Sequence, residues 1–318
     1  MLEAFILNAT LDGQAHFTGG FEMNAQAHIL LVAPTHYEVR YAINPWMQPE
    51  RWLQDATGFG AQARRSFNAL SEALRAAGCR LTVIDGEPGL PDMVFPANAG
   101  IVLDGRLLLA RFRHAERQGE EAPFARAFAA LRVAGVLDEV ATLPEGVFQE
   151  GAGDCLWDAT RGLFWVGWGQ RSNQASVKAV ADYFGQPVVP LELITERSYH
   201  LDVCFCPLAG GEILYYPPAL SVDSLARVRE RVPAEQRIEA TEDDLTHFSV
   251  NAVSVGRQLV MSRTTDRLRG VLTERGYQVR EVDLSPFMMS GGGAFCMTLR
   301  LDRHSAAARR ADPTVATA

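Results

Sequence analysis

The sequence predicts an α/β fold, in which five strand–strand–helix–strand repeats close into a ring. Three observations predict it. Amphipathic helical segments recur, each followed by a short turn and a β-prone run. Pairs of strand-like runs lie between them, and in three pairs the turn residues Asp104-Gly105, Gly210-Gly211 and Gly256 sit in the middle. The last apolar run, AFCMTLRL from Ala294, suits pairing with HILLVAP from His28, which would close the ring.

Taken in order, the helical segments are SFNALSEALRAAG, PFARAFAALRVAG, ASVKAVADYFG, SLARVRERV and TDRLRGVLTERG. Their β-prone followers are CRLTVID, VLDEVATLP, QPVVPLEL, AEQRIEA and YQVREVDL. Glycine closing four of the helices suits a left-handed cap. The paired runs are MVFPANAGIVLDGRLLLAR, GAGDCLWDATRGLFWVG, LDVCFCPLAGGEILYYP and FSVNAVSVGRQLVMS. Recurrence at roughly 45 to 60 residues marks a propeller or array, because one such unit cannot bury its own apolar face. A doubly wound sheet, the rival, would alternate single strands with helices.

The chain has 318 residues, 47% of them hydrophobic, enough for a substantial core. Residues 20–304 are expected to form a single domain, and 305–318 a disordered tail. The opening residues read as a lead-in, or as a cover over part of the site. A net charge of -8 and no long basic run argue against nucleic acid as a partner. No apolar stretch is long enough for a membrane span, and no secretory leader is evident. The five cysteines are therefore expected to be reduced in a cytoplasmic protein.

In a ring of repeats, residues far apart in sequence converge on the axis. The polar residues at matching places are Asn98, Glu150 with Asp154, His200 with Asp202, Asn251, and Cys296. Cys296 follows three glycines, Gly291, Gly292 and Gly293, at the start of an apolar run. Such a loop permits close approach of a ligand, although a free cysteine is more often a small core residue. Cys204 and Cys206, two apart on a predicted strand, read as core, as do Cys79 and Cys155. His200 and Asp202 in SYHLDVCF would share a strand face, with the carboxylate orienting the imidazole. Glu150 and Asp154 in FQEGAGDCLW fit a turn leading into a strand, and pointing inward they would form an acidic wall suited to a cation. Asn44 precedes a proline in YAINPWM, with Trp46 and Met47 as an apolar lid. Arg111, Arg113 and Arg263 are candidates for a substrate carboxylate. The chain lacks GxGxxG after its first strand, GxxxxGK[ST], HExxH and GxSxG, which argues against nucleotide cofactors, zinc proteases and serine esterases.

INPWM, MVFPANAG, EGAGD, HLD and GGGAFC together resemble the guanidino-modifying, amidinotransferase-like enzymes. These include arginine dihydrolases, dimethylarginine dimethylaminohydrolases and arginine deiminases. The resemblance spans residues 43 to 296 and implies a five-bladed α/β propeller. It implies Cys296 as nucleophile, His200 as general acid and base, and Glu150 and Asp202 as carboxylates that hold the guanidinium. Asn98, Asn44, Asp154 and Gly292 fall in with the substrate-binding set. Asn98 stands where deiminases carry an aspartate, which places the chain nearest the dihydrolases. The implied partner is a small cationic guanidino amino acid. No metal or organic cofactor is expected, and a homo-oligomer is compatible with the sequence. Rival readings are dimethylarginine hydrolysis to citrulline and dimethylamine, amidino transfer to an amine, an arginine-binding protein without turnover, and a propeller-like translation factor.

Overall fold

A computed structural model describes residues 26–306 and 308. The expected lead-in over the first twenty residues and most of the expected tail lie outside those residues. Ser305, where the tail was to begin, is buried and donates its backbone N–H to Asp104 Oδ1 at 2.7 Å.

The described chain is α/β, with five three-stranded sheets. Four follow one another along the sequence: Gly100–Leu103, Arg106–Leu109 and Glu139–Ala141; Cys155–Asp158, Leu163–Trp168 and Val188–Glu192; Phe205–Pro207, Ile213–Tyr215 and Arg237–Glu239; Val253–Val255, Gln258–Met261 and Gln278–Glu281. The fifth joins the two ends of the described chain, with Leu299–Arg300 beside His28–Ala33 and then Arg80–Asp85. In every sheet the middle strand is antiparallel to the first and parallel to the third. The parallel step needs a crossover, which the helices Ala56–Ala76, Glu121–Val133, Ala175–Phe184, Val222–Arg231 and Asp266–Glu274 supply. This is the repeat read from the sequence, with its predicted pairing of chain ends, Ile29 to Arg300 and Leu30 to Leu299.

Helix Ala175–Phe184 shows why these segments fold as they do. Ser176, Ala179, Val180 and Phe184 fall on one face and are buried, and Gly185 ends the helix at φ 63°. That face packs with Phe164 and Val166 of its own sheet and with Ile101, Leu103 and Leu108 of the preceding one. Each large apolar side chain so buried contributes roughly 1.5–3 kcal/mol. Because the clusters straddle consecutive sheets, no unit completes its core alone.

The first paired run begins later than its apolar pattern suggested. Pro91–Val94 and Pro96–Ala99 are 3-10 turns, and the strand opens at Gly100. Prolines in both turns deny the backbone donors that a strand ladder needs. His200 and Asp202 do not share a strand face either: Leu201–Cys204 is a single helical turn capped by His200. This also separates Cys204 from Cys206, which donate their thiols to Leu201 O and Ala252 O in different clusters. Both are core, as expected. Cys296 stands in a turn ahead of a two-residue strand, not on a strand.

Candidate active site

The segment leading into the first strand of each sheet is a tight turn carrying polar side chains. Asn98 precedes Gly100–Leu103, Glu150 to Asp154 precede Cys155–Asp158, His200 to Asp202 precede Phe205–Pro207, Asn251 precedes Val253–Val255, and Cys296 precedes Leu299–Arg300. Hydrogen bonds join all five. Ala97 N–H donates to Cys296 O at 3.2 Å, and Asn98 Nδ2 lies 3.4 Å from His200 Nδ1. His200 Nε2 meets Glu150 Oε2 at 2.7 Å. The thiol of Cys296 donates to Asp202 Oδ2 at 3.1 Å. Asn251 Nδ2 donates to Cys296 Sγ and to Asp202 O, each at 3.1 Å. Cys296, Asp202, His200, Glu150, Asn98 and Asn251 each expose 2% or less.

The two inner carboxylates are in different states. Glu150 accepts from Arg171 Nη1 at 3.0 Å, from His200, and from the Arg113 backbone N–H at 3.1 Å. Burial pushes its proton affinity up, but the Arg171 and His200 charges and bonds hold it well below the usual carboxylate range. Asp202 Oδ1 is buried with no partner among the described residues. Burial dominates there and raises Asp202 to about 7, against the bonds from Cys296 and Asn251. Burial, with Asp202 beside it, also pushes the Cys296 thiol well up. A cation set against Asp202 and the sulfur would relieve all three conditions at once: the bare oxygen, the raised carboxyl and the raised thiol.

Other predicted site residues serve the frame. Asp154 Oδ1 accepts from Leu201 N at 2.9 Å and Oδ2 from Ser172 Oγ at 2.5 Å, so both oxygens are committed within the protein. It fixes the helical turn after His200 and offers no free edge to a substrate. Gly292 has no room for a side chain, since a Cβ there would lie 2.1 Å from the Phe95 ring. Asn44 binds the glycine loop, donating to Ser290 O at 3.1 Å and accepting from Trp46 N at 2.9 Å. Trp46 rests edge-on against Phe248 at 4.8 Å, and Met47 is buried. Arg111 is tied to the carbonyls of Leu143, Pro144 and Val147, Arg113 to those of Gly169 and Gln170, and Arg263 is exposed.

The arginines that do reach the site are others. Arg171 spans from Glu150 to Ile43 O at 3.2 Å and lies over the Tyr199 ring. Arg117 donates to Asn98 Oδ1 at 2.8 Å, to Asp92 O at 3.2 Å and through two nitrogens to Glu120. Burial raises Glu120 to about 7 despite that pair. In RQGEE and QRSNQ nothing local marks either arginine as buried. The one available hint is the Arg117–Glu120 spacing of three, which suits a pair on one helical turn.

The family described as N,N dimethylarginine dimethylhydrolase, eukaryotic, matches residues 42–303. The bifunctional arginine dihydrolase/ornithine cyclodeaminase ArgZ of Synechocystis sp. is 40% identical over 274 residues, covering 86% of this chain and 37% of that protein. The chain thus spans under two fifths of that relative's length. The N(G),N(G)-dimethylarginine dimethylaminohydrolase of Mycobacterium tuberculosis is 32% identical over 85% of this chain and 84% of its own length. A variant N-terminal domain of ArgZ, covalently bound to a reaction intermediate, superimposes with a TM-score of 0.79 at 38% identity, covering 87% of this chain and 98% of that one. Five sheets whose lead-in turns join a cysteine, a histidine and two carboxylates agree with these likenesses, and the protein belongs to the dimethylarginine dimethylhydrolase family of guanidino-modifying enzymes.

Proposed function

We propose that the protein hydrolyses C–N bonds of the guanidino group of arginine or an Nω-methylated arginine, as an arginine dihydrolase. One observation carries this reading. A buried carboxylate oxygen without a partner, Asp202 Oδ1, belongs to the group that touches the Cys296 sulfur. A planar guanidinium set against that carboxylate places its central carbon within reach of the sulfur.

The steps follow from the groups present. The bound cation favours the thiolate, and the Cys296 proton passes to His200. The sulfur attacks the guanidino carbon and forms a C–S bond. His200, oriented by Glu150 through Nε2, passes a proton to the departing nitrogen, which leaves as ammonia or as a methylamine. A thiouronium adduct remains on Cys296. His200 then takes a proton from water, the oxygen attacks the same carbon, and the C–S bond breaks to return the thiol and a ureido product. A second round on that product yields ornithine, ammonia and carbon dioxide. The segment from Tyr41 to Met47 borders the reacting groups, with Ile43 O bound by Arg171 and Asn44 bound to Ser290 O.

Family membership supports a second reading, release of dimethylamine from dimethylarginine with citrulline as the end point. Asn98 favours the first. As an amide held by Arg117 beside His200, it leaves the acidic wall one charge short of a carboxylate there. We further infer that the five sheets stand as blades about one axis within a single domain over residues 20–304. The meeting of all five lead-in turns and the cores shared between consecutive sheets support this. Mass and product analysis with arginine, citrulline and dimethylarginine in parallel tests the function. Ornithine from arginine, with an adduct on the Cys296 peptide, is the expected result. Turnover of none of the three would overturn it.

A further inference from the structure

Asn251 has no part in the steps above, yet its amide is more tightly engaged with the nucleophile than any other side chain. Its Oδ1 accepts the Cys296 backbone N–H at 3.1 Å. Its Nδ2 donates to Cys296 Sγ and to Asp202 O, both at 3.1 Å. One planar group therefore fixes the backbone of the nucleophile, points a donor at the sulfur, and ties both to the turn that carries Asp202. The amide is fully buried, so it lacks the competing water that would weaken these bonds at the surface.

Two further features serve that placement. Phe248 has φ 54°, a left-handed conformation that a bulky residue avoids. It persists because the ring is wedged, fully buried, among Tyr199, Val203 and Leu245 and under Trp46. The Asn251 N–H returns to Phe248 O at 3.1 Å, so the strained turn sets where the asparagine begins. On the opposite side, a Cβ at Gly293 would come within 2.8 Å of Asn251 Oδ1. The third glycine of the loop is the clearance that lets the amide reach Cys296.

We propose that Asn251 is a positioning residue for the nucleophile, supplying an N–H donor that stabilises the thiolate as its charge develops while holding Cys296 and Asp202 at their working separation. The proposal rests on the hydrolase reading for its place in catalysis, but the contact with the sulfur does not. A donor aimed at a developing anion in a dry site is worth far more than one in water. Burial and Asp202 both oppose ionisation of this thiol, and Asn251 acts against them.

The test separates the donor from the scaffold. Asn251→Asp keeps the shape and the acceptor for the Cys296 N–H, and replaces the donor at the sulfur with an oxygen. The rate of carboxamidomethylation of the Cys296 peptide by iodoacetamide, followed against pH without substrate, reads thiolate formation directly. The expected result is a midpoint moved upward by about one unit or more, with kcat on arginine down ~10²-fold and KM changed little. Gly293→Ala, which leaves the asparagine in place but crowds its oxygen, gives a smaller shift the same way and serves if Asn251→Asp does not fold. An alkylation profile unchanged from wild type in the folded variants overturns the proposal while leaving the hydrolase reading intact. Wild-type protein that turns over no guanidino compound, with the alkylation shift still seen in Asn251→Asp, overturns the hydrolase reading and leaves the sulfur contact standing.

Discussion

The two halves of the site handle a buried carboxylate in opposite ways. On one side Glu150 is saturated by Arg171, His200 and a backbone N–H. On the other, Asp202 keeps a bare oxygen next to the sulfur. Both are sealed from water, so the difference is one of partners and not of burial. A saturated carboxylate is finished with its work once the protein has folded, and it fixes the geometry of its neighbours. An unsaturated one carries a desolvation penalty that a proton or a cationic ligand relieves. In the proposed mechanism the first half aims the histidine and the second takes the cation.

The contrast can be broken at several points. The largest effect belongs to the sulfur: Cys296→Ala should lower kcat by roughly 10⁴-fold or more, with no adduct detectable by mass spectrometry. Substrate affinity in that variant, read by calorimetry, should survive, since the carboxylates remain.

Next comes the saturated half. Glu150→Gln leaves the Arg171 guanidinium buried without its counter-charge, and should cost about 3–5 kcal/mol in denaturant unfolding. Glu150 is depressed from its usual 4.5, so its stabilisation is fully present above that pH and is lost only as pH falls toward the depressed value. The variant should lack this acid limb. A loss under 1 kcal/mol would show that the pair is not the structural half described.

The unsaturated half should behave otherwise. Asp202→Asn should cost about 2 kcal/mol of guanidinium binding, ~30-fold in Kd, while leaving the fold as stable or more so. Asp202 is raised to about 7, so the folded protein holds its proton more firmly than the unfolded chain does. Its contribution therefore destabilises increasingly as pH rises from the ordinary carboxylate range to about 7. For the wild type, kcat/KM for a cationic substrate should fall as pH drops below about 7, because the protonated carboxyl no longer pairs with the guanidinium. The substitution should erase that limb, and its survival in the variant would assign the limb to another group.

The smallest effect is expected on the exposed face of helix Ala175–Phe184. Lys178 and Asp182 form an exposed pair one helical turn apart, and Asp182→Ala should change stability by under about 0.5 kcal/mol.

Much of this arrangement could be read before any coordinates. Helix and strand periods are local, so the repeats and the five lead-in turns carrying Asn98, Glu150, His200, Asn251 and Cys296 were legible. Which group meets which was not. Reading HLDVC as a strand put Asp202 beside His200, whereas a single helical turn sends one to the sulfur and leaves the other to Glu150. Such one-turn helices are set by tertiary bonds, here from Asp154 to Leu201 N, and leave no periodic trace. Asp154 and Gly292 looked like ligand contacts because carboxylates and glycine runs near a nucleophile usually are. Only the packing shows that both Asp154 oxygens are taken by neighbours and that Gly292 is there to clear the Phe95 ring. Arg117 and Arg171 escaped notice because long cationic chains look alike in sequence whether they end in water or in a salt bridge.

One architectural detail has a bearing on how the protein is made. The sheet holding His28–Ala33 takes its outer strand from Leu299–Arg300, and the Cys296 thiol sits just ahead of that strand. During synthesis, the early strand emerges long before its neighbour, and the pairing of Ile29 with Arg300 must close a loop of roughly 270 residues. Until it closes, the sulfur has neither its amide clamp nor its carboxylate. The geometry proposed for the site is therefore assembled only when Leu299–Arg300 docks beside His28–Ala33.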